Sequence, residues 1–104
     1  MGATNVQIVP ATTATVTGAW FACPADKRPK FQFYLTGTAG AQTATIILEG
    51  SSDGIGIGST LTVSLSGTST DQYGLYTQAD WPYYRARVTA ISGTGATANV
   101  QMVV

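Results

Sequence analysis

Acid–base and metal chemistry have few residues to work with in this 104-residue chain, and those present point to contact rather than turnover. There is no histidine, and the one cysteine is Cys23. That removes the commonest general base, and with it Ser-His-Asp and Cys-His nucleophilic sites and a zinc site built from His and Cys. The carboxylates are Asp26, Glu49, Asp53, Asp71 and Asp80. A glycosidase needs two of them facing across a cleft, yet four of the five fall in expected turns, where Asp bonds its own backbone. A loop calcium ion drawing on Glu49, Asp53 or Asp71 is a further option, because calcium takes oxygen ligands from flexible loops. Residues 54–58, Gly-Ile-Gly-Ile-Gly, imitate a phosphate loop, but no helix follows to present its N-terminus. They read as a turn opened by Asp53-Gly54 into a mobile surface loop whose isoleucines can touch a partner. No catalytic residue, cofactor or metal is expected.

Two groups of side chains are suited to binding. Trp81, Tyr83 and Tyr84 stand beside Arg85 and Arg87, the types enriched at interface hot spots. A carbohydrate platform would use exposed aromatics in the same way. The plainer alternative has Trp81 and Tyr84 plugging one end of a core while Arg85 and Arg87 pair with Asp80 or Glu49. The second group is the basic cluster Lys27, Arg28 and Lys30, in a stretch bracketed by Pro24 and Pro29. It suits an acidic partner surface or, more simply, water. The candidate interface is therefore Trp81, Tyr83, Arg85, Arg87, Lys27, Arg28 and Lys30.

Strands must position these residues. Thr (17), Gly (12) and Ser (7) take the places usually held by Lys and Glu, and only 10% of residues are charged. β-branched Thr favours strands and Gly favours tight turns. No window carries apolar residues at the helical period over three turns. Residues 30–36 alternate Phe31, Phe33 and Leu35 against Gln32, Tyr34 and Thr36. Residues 42–50 set Ala44, Ile46 and Leu48 against Thr43, Thr45, Ile47 and Glu49, and residues 60–66 set Leu61, Val63 and Leu65 against Thr62, Ser64 and Ser66. Residues 72–78 form a short aromatic strand with Tyr73 and Tyr76. Residues 83–92 put Tyr84, Ala86, Val88 and Ala90 on one side, and residues 97–104 repeat the pattern with Ala98, Val100, Met102 and Val104. This period of two marks half-buried strands. Ser92-Gly93-Thr94-Gly95 between the last two reads as the turn of a C-terminal hairpin. Residues 11–22 make a weaker strand. Residues 1–10, ending at Pro10, read as an edge strand or an arm reaching onto a neighbour. Some eight strands at this spacing predict one all-β domain over residues 1–104, a single antiparallel β-sandwich of jelly-roll type.

The formal net charge is zero, which disfavours nucleic acid because phosphate binding needs many cations. A neutral, hydroxyl-rich surface repels its own copies weakly, so a homo-oligomer is expected. No run approaches the roughly 18 apolar residues of a membrane span, and no secretory signal is visible. A lone cysteine closes no internal disulfide, and Cys23 is expected in the core.

The closing run TQADWPYYRARVTAISGTGATANVQMVV resembles small structural proteins of tailed bacteriophages, several of which are β-sandwiches or jelly rolls. The middle of the chain, from FQFYLTGTAG through IILEGSSDG to LTVSLSGTST, follows the same pattern more loosely. The resemblance implies a non-enzymatic virion protein made in the host cytoplasm. It would be a capsid decoration, or cement, protein bound to the major capsid protein and to copies of itself as a trimer or dimer. A tail or neck subunit, or a carbohydrate-binding sandwich module, is the alternative.

Overall fold

The computed structural model describes residues 5–23, 29–68, 72–77 and 81–103, with side chains over 7–23, 29–67 and 81–103. Nine strands and no helix occur among them: β1 (Asn5–Thr12), β2 (Val16–Thr17), β3 (Phe21–Ala22), β4 (Lys30–Thr36), β5 (Ala39–Ser51), β6 (Ser59–Thr68), β7 (Gln72–Thr77), β8 (Tyr83–Thr94) and β9 (Thr97–Val103). The weak strand of residues 11–22 is two short pieces, β2 and β3, separated at Gly18 and both paired to β8.

The strands form two antiparallel sheets, one ordered β1-β9-β4-β7 and the other β2-β8-β5-β6 with β3 beside β2 on β8. Counting β2 and β3 as one interrupted strand, this is the jelly-roll order. The period-two pattern explains the core. Phe31, Phe33, Leu35, Val100 and Met102 of the first sheet face Ile46, Leu48, Tyr84, Ala86 and Val88 of the second, and all are buried. Each buried Val, Leu, Ile, Phe or Met among them contributes about 1.5–3 kcal/mol. Phe31 and Tyr84 meet across the sheets with ring centroids 5.0 Å apart and planes tilted by 56°. Cys23 is buried as expected, its N–H donating to the Pro82 carbonyl at 2.8 Å.

The expected C-terminal hairpin is not formed. β8 and β9 are consecutive and antiparallel but belong to different sheets: β8 bonds to β5, and β9 to β1 and β4. Residues 93–96 carry the chain through the thickness of the sandwich. Gly93 (φ 118°) and Gly95 (φ 66°) adopt backbone that side chains resist. β4 and β5 make a matching arch. The two corners clasp one another, since Thr38 donates its N–H and its hydroxyl to the Thr94 carbonyl at 3.0 and 3.1 Å. Thr38 packs so closely on Gly95 that no Cβ fits there. Alternation says which side of a strand is greasy; it does not say whether two greasy faces lie side by side or stack.

The true hairpin is β5–β6, whose register runs unbroken from Ala41↔Thr68 to Gly50↔Ser59. A second correction concerns the end of β8. A bulge between the pairs Thr45↔Ala90 and Ile46↔Val88 shifts the alternation by one residue. Ala90 therefore faces solvent, and Ile91 packs against the core in its place. A bulge in β1 likewise lets the consecutive Ile8 and Val9 both be buried. Residues 5–12 are thus an edge strand of their own domain.

Candidate functional site

Arg85 and Arg87 project from the outer face of β8 and Glu49 from β5, where register sets Glu49 opposite Arg85 and Ile47 opposite Arg87. Arg85 donates Nε and Nη2 to Glu49 Oε1, both at 2.7 Å. Arg87 donates Nε and Nη2 to Oε2 at 3.2 and 3.1 Å. The Trp20 ring lies 4.4 Å from the Arg85 guanidinium carbon, a cation–π contact that helps roof the cluster. Glu49 is on the outward face, as its position in the alternation predicts, yet it is 0% exposed. Two guanidiniums on one carboxylate leave a partly buried unit of net charge +1. Pairing with Glu49 was one of the two partners expected; Asp80, the other, lies outside the described residues.

Trp81 and Tyr83 face a different task from the arginines. The Trp81 N–H donates to the Tyr84 hydroxyl at 2.9 Å, and the indole packs against Gly50 and Gly58, where no Cβ fits. The half-buried Tyr83 ring lies against Gly54. Both aromatics therefore buttress the β5–β6 loop, residues 52–58. Hydrogen bonds tie that loop to its own backbone and to β5. Asp53 Oδ1 accepts from Ile55 N–H and Gly56 N–H, each at 2.9 Å, and from the Ser51 hydroxyl at 3.0 Å. Ser51 Oγ in turn accepts from Asp53 N–H and Gly54 N–H, and Gly58 N–H closes the loop on the Gly50 carbonyl at 2.7 Å. Held on this frame, Ile55 is 83% exposed and Ile57 51% exposed. Neither isoleucine belongs to the candidate interface expected from the sequence, although both were expected on a surface loop.

The donors around Asp53, first the Ile55 N–H, then Gly56 N–H and the Ser51 hydroxyl, hold its carboxyl below the usual value. A depressed folded pKa stabilises the loop fully above the unfolded value, and the contribution is lost as pH falls through the folded one. The amide resonances of Ile55 and Gly56 should therefore titrate together, below the ordinary Asp range near 3.9, and D53N should abolish that titration. Resonances that stay still, or move at the ordinary value, would refute this account of the loop.

Register also shows what converges. Lys30 pairs with Val103 in the first sheet, and Tyr83 with Ser51 and Gly50 with Ser59 in the second; the neighbours Phe31 and Tyr84 meet across the sheets, so all lie at one end of the sandwich. The start of β4, the β5–β6 loop and the Trp81–Tyr83 segment share that end. The exposed Lys30 belongs to the first sheet, whereas Arg85 and Arg87 sit on the outer face of the second. Lys27 and Arg28 lie outside the described residues, as does Asp71. The calcium candidates have structural work: Glu49 pairs with two arginines and Asp53 Oδ1 anchors a loop. Among the described residues no group of three or more Cys, Asp or Glu could hold a metal ion. An open groove of about 360 Å³ beside β2 is lined by Thr15, Val16, Thr17, Arg87, Val88 and Thr89, hydroxyls and a guanidinium already engaged with Glu49.

Fold and site together define a jelly-roll β-sandwich that presents, at one end, two isoleucines on a hydrogen-bonded loop. Comparison with protein-family models, curated proteins and solved structures finds no match for the chain.

Proposed function

We propose that the protein is a structural component of a virion, a decoration protein bound to the outside of a tailed-phage head beside copies of itself. One observation carries this reading: Ile55 and Ile57 stand exposed on a hydrogen-bonded loop that Trp81 and Tyr83 buttress. Neighbouring exposed apolar groups mark contact surfaces, and a preorganised loop loses little entropy on docking. A low-charge surface allows many copies to sit side by side. The major capsid protein is the proposed partner of the loop.

The test is stoichiometry in purified particles, with the chain quantified against the coat protein by mass spectrometry. A simple ratio to the coat subunit is expected, and I55D/I57D should lose that occupancy while keeping the strand signature in circular dichroism. A few copies per particle would reassign the protein to the tail or neck, and absence from particles would end the virion reading. Two other variants are poor probes. Deleting residues 1–10 removes the buried Ile8 and Val9, and changing Arg85 and Arg87 strips the buried Glu49 of its counter-charges.

A second reading, a carbohydrate-binding module, is favoured by the outer face of the first sheet. There register aligns Gln7, Gln101 and Gln32 across three strands, with Tyr34 opposite Asn99 in an adjacent row. Amides and a phenol are apt partners for sugar hydroxyls, and Asn99 Oδ1 is buried with no hydrogen-bond partner. A glycan screen in which Q32A/Q101A loses every hit would favour it, and a screen with no hits would remove it.

A further inference from the structure

The four sheet edges are not alike. β1 carries Pro10 and two register shifts, β2 and β3 are two residues each, and β7 has six residues with a central glycine. Proline, irregular register and very short strands blunt an edge against foreign strands, and β7 is a shorter strand than β6. β6 has none of them. It is ten residues long, STLTVSLSGT, without a charge or a proline, and its register with β5 has no bulge. Among the described residues no strand pairs with its other side. Every second residue of an edge strand turns its N–H and C=O away from the sheet, so β6 displays a straight row of unused backbone donors and acceptors.

We infer that this edge is a self-association surface, where β6 pairs antiparallel with β6 of a second copy across a twofold axis. The strand is unusually suited to itself. With the axis at Val63, Thr62 faces Ser64 of the other copy, Thr60 faces Ser66, and Leu61 faces Leu65. Thr60, Thr62, Ser64 and Ser66 are all exposed on one face, giving hydroxyl–hydroxyl pairs across the join. On the other face Leu61, still half-buried, and Leu65 would run into their counterparts and join the two cores. No like charges meet anywhere along the strand, which is what a homotypic contact requires. The second sheet would then continue through both copies as β2-β8-β5-β6 followed by the same strands in reverse. This names the surface for the contact between copies proposed above; it rests on that reading only for its setting in a particle, and the isolated chain tests it.

The measurement is sedimentation velocity of the full chain over a concentration series up to its solubility limit. The unmodified protein should show a monomer–dimer equilibrium. T62K/S64K sets Lys against Lys twice across the axis and should weaken it by roughly tenfold, because like charges directly opposed across strands destabilise the pairing. T62K/S64E sets Lys against Glu twice and should restore it. Without any variant, the outward N–H groups of residues 59–67 should exchange more slowly at high protein concentration than at low. A chain that stays monomeric throughout would overturn the inference. So would a trimer, or equal dimerisation of T62K/S64K and T62K/S64E. Because no particle enters this experiment, its failure leaves the virion reading to the stoichiometry measurement.

Discussion

R85A/R87A should lower the stability of the domain by about 3 kcal/mol, because it leaves the Glu49 carboxylate buried without a counter-charge. For a domain of this size that is a fall in melting temperature of roughly 12–24 °C. The figure sits at the low end for a broken buried ion pair because truncating two arginines, 20% and 32% exposed, admits some water. E49Q is the informative contrast. It leaves the two guanidiniums without their charge partner, but both already reach solvent and one amide oxygen can still accept, so the loss should be about 1–2 kcal/mol. Thermal denaturation of the three proteins checks the order. If E49Q cost as much as R85A/R87A, or R85A/R87A cost less than about 1 kcal/mol, the cluster would not be the closed ion pair described. Loss of partner binding in R85A/R87A would consequently report on folding and not on a missing contact.

Tyr84 should prove the most sensitive single position in the C-terminal half. Its side chain is 0% exposed and packs on Phe31 across the sandwich. Y84A deletes a whole aromatic ring from a packed core, a loss of about 3–5 kcal/mol, a large fraction of the about 5–15 kcal/mol that an ordinary domain has. Y84F separates the two roles of the residue. It keeps the ring and removes the hydroxyl that accepts the Trp81 N–H, so it should cost about 1 kcal/mol. Hydrogen exchange at the Trp81 amide should speed up in Y84F while amides in the middle of β5 keep most of their protection. Equal losses in Y84A and Y84F, or unchanged Trp81 exchange, would mean that the hydroxyl does not fasten Trp81 to the core.

Most of the strands were legible because alternation is local. Phe31, Phe33 and Leu35, or Ala98, Val100 and Met102, declare a buried face within a few residues, and burial follows from the period alone. The bulge at the end of β8 was not legible. Ala90 continues the apolar alternation, and nothing short of the pairing with β5 reveals that Thr45 and Ile46 meet Ala90 and Val88. The C-terminal arch shows the same limit at larger scale. Ser92-Gly93-Thr94-Gly95 is chemically fit for a hairpin, and the clasp with Thr38, 56 residues away, turns it into a corner instead.

For the candidate site, the types of residue were readable and their duties were not. Trp, Tyr and Arg in one short stretch promised contact, but Glu49, 36 and 38 positions distant from the arginines, takes both guanidiniums, and Trp81 spends its face on two glycines. The Ile55–Ile57 loop looked mobile because its glycines are flexible as single residues; the Ser51–Asp53 hydrogen bonds restrain them as a set.

By itself, then, the chain's composition and period-two pattern determined an all-β sandwich, its strands and most of its core, because those depend on side chains a few bonds apart. The tertiary structure alone decided which strands pair and which stack, which loops share an end, and which edge stays open. Those outcomes turn on backbone hydrogen bonds between distant segments, and backbone groups are the same in every residue, so no side-chain pattern records their partners.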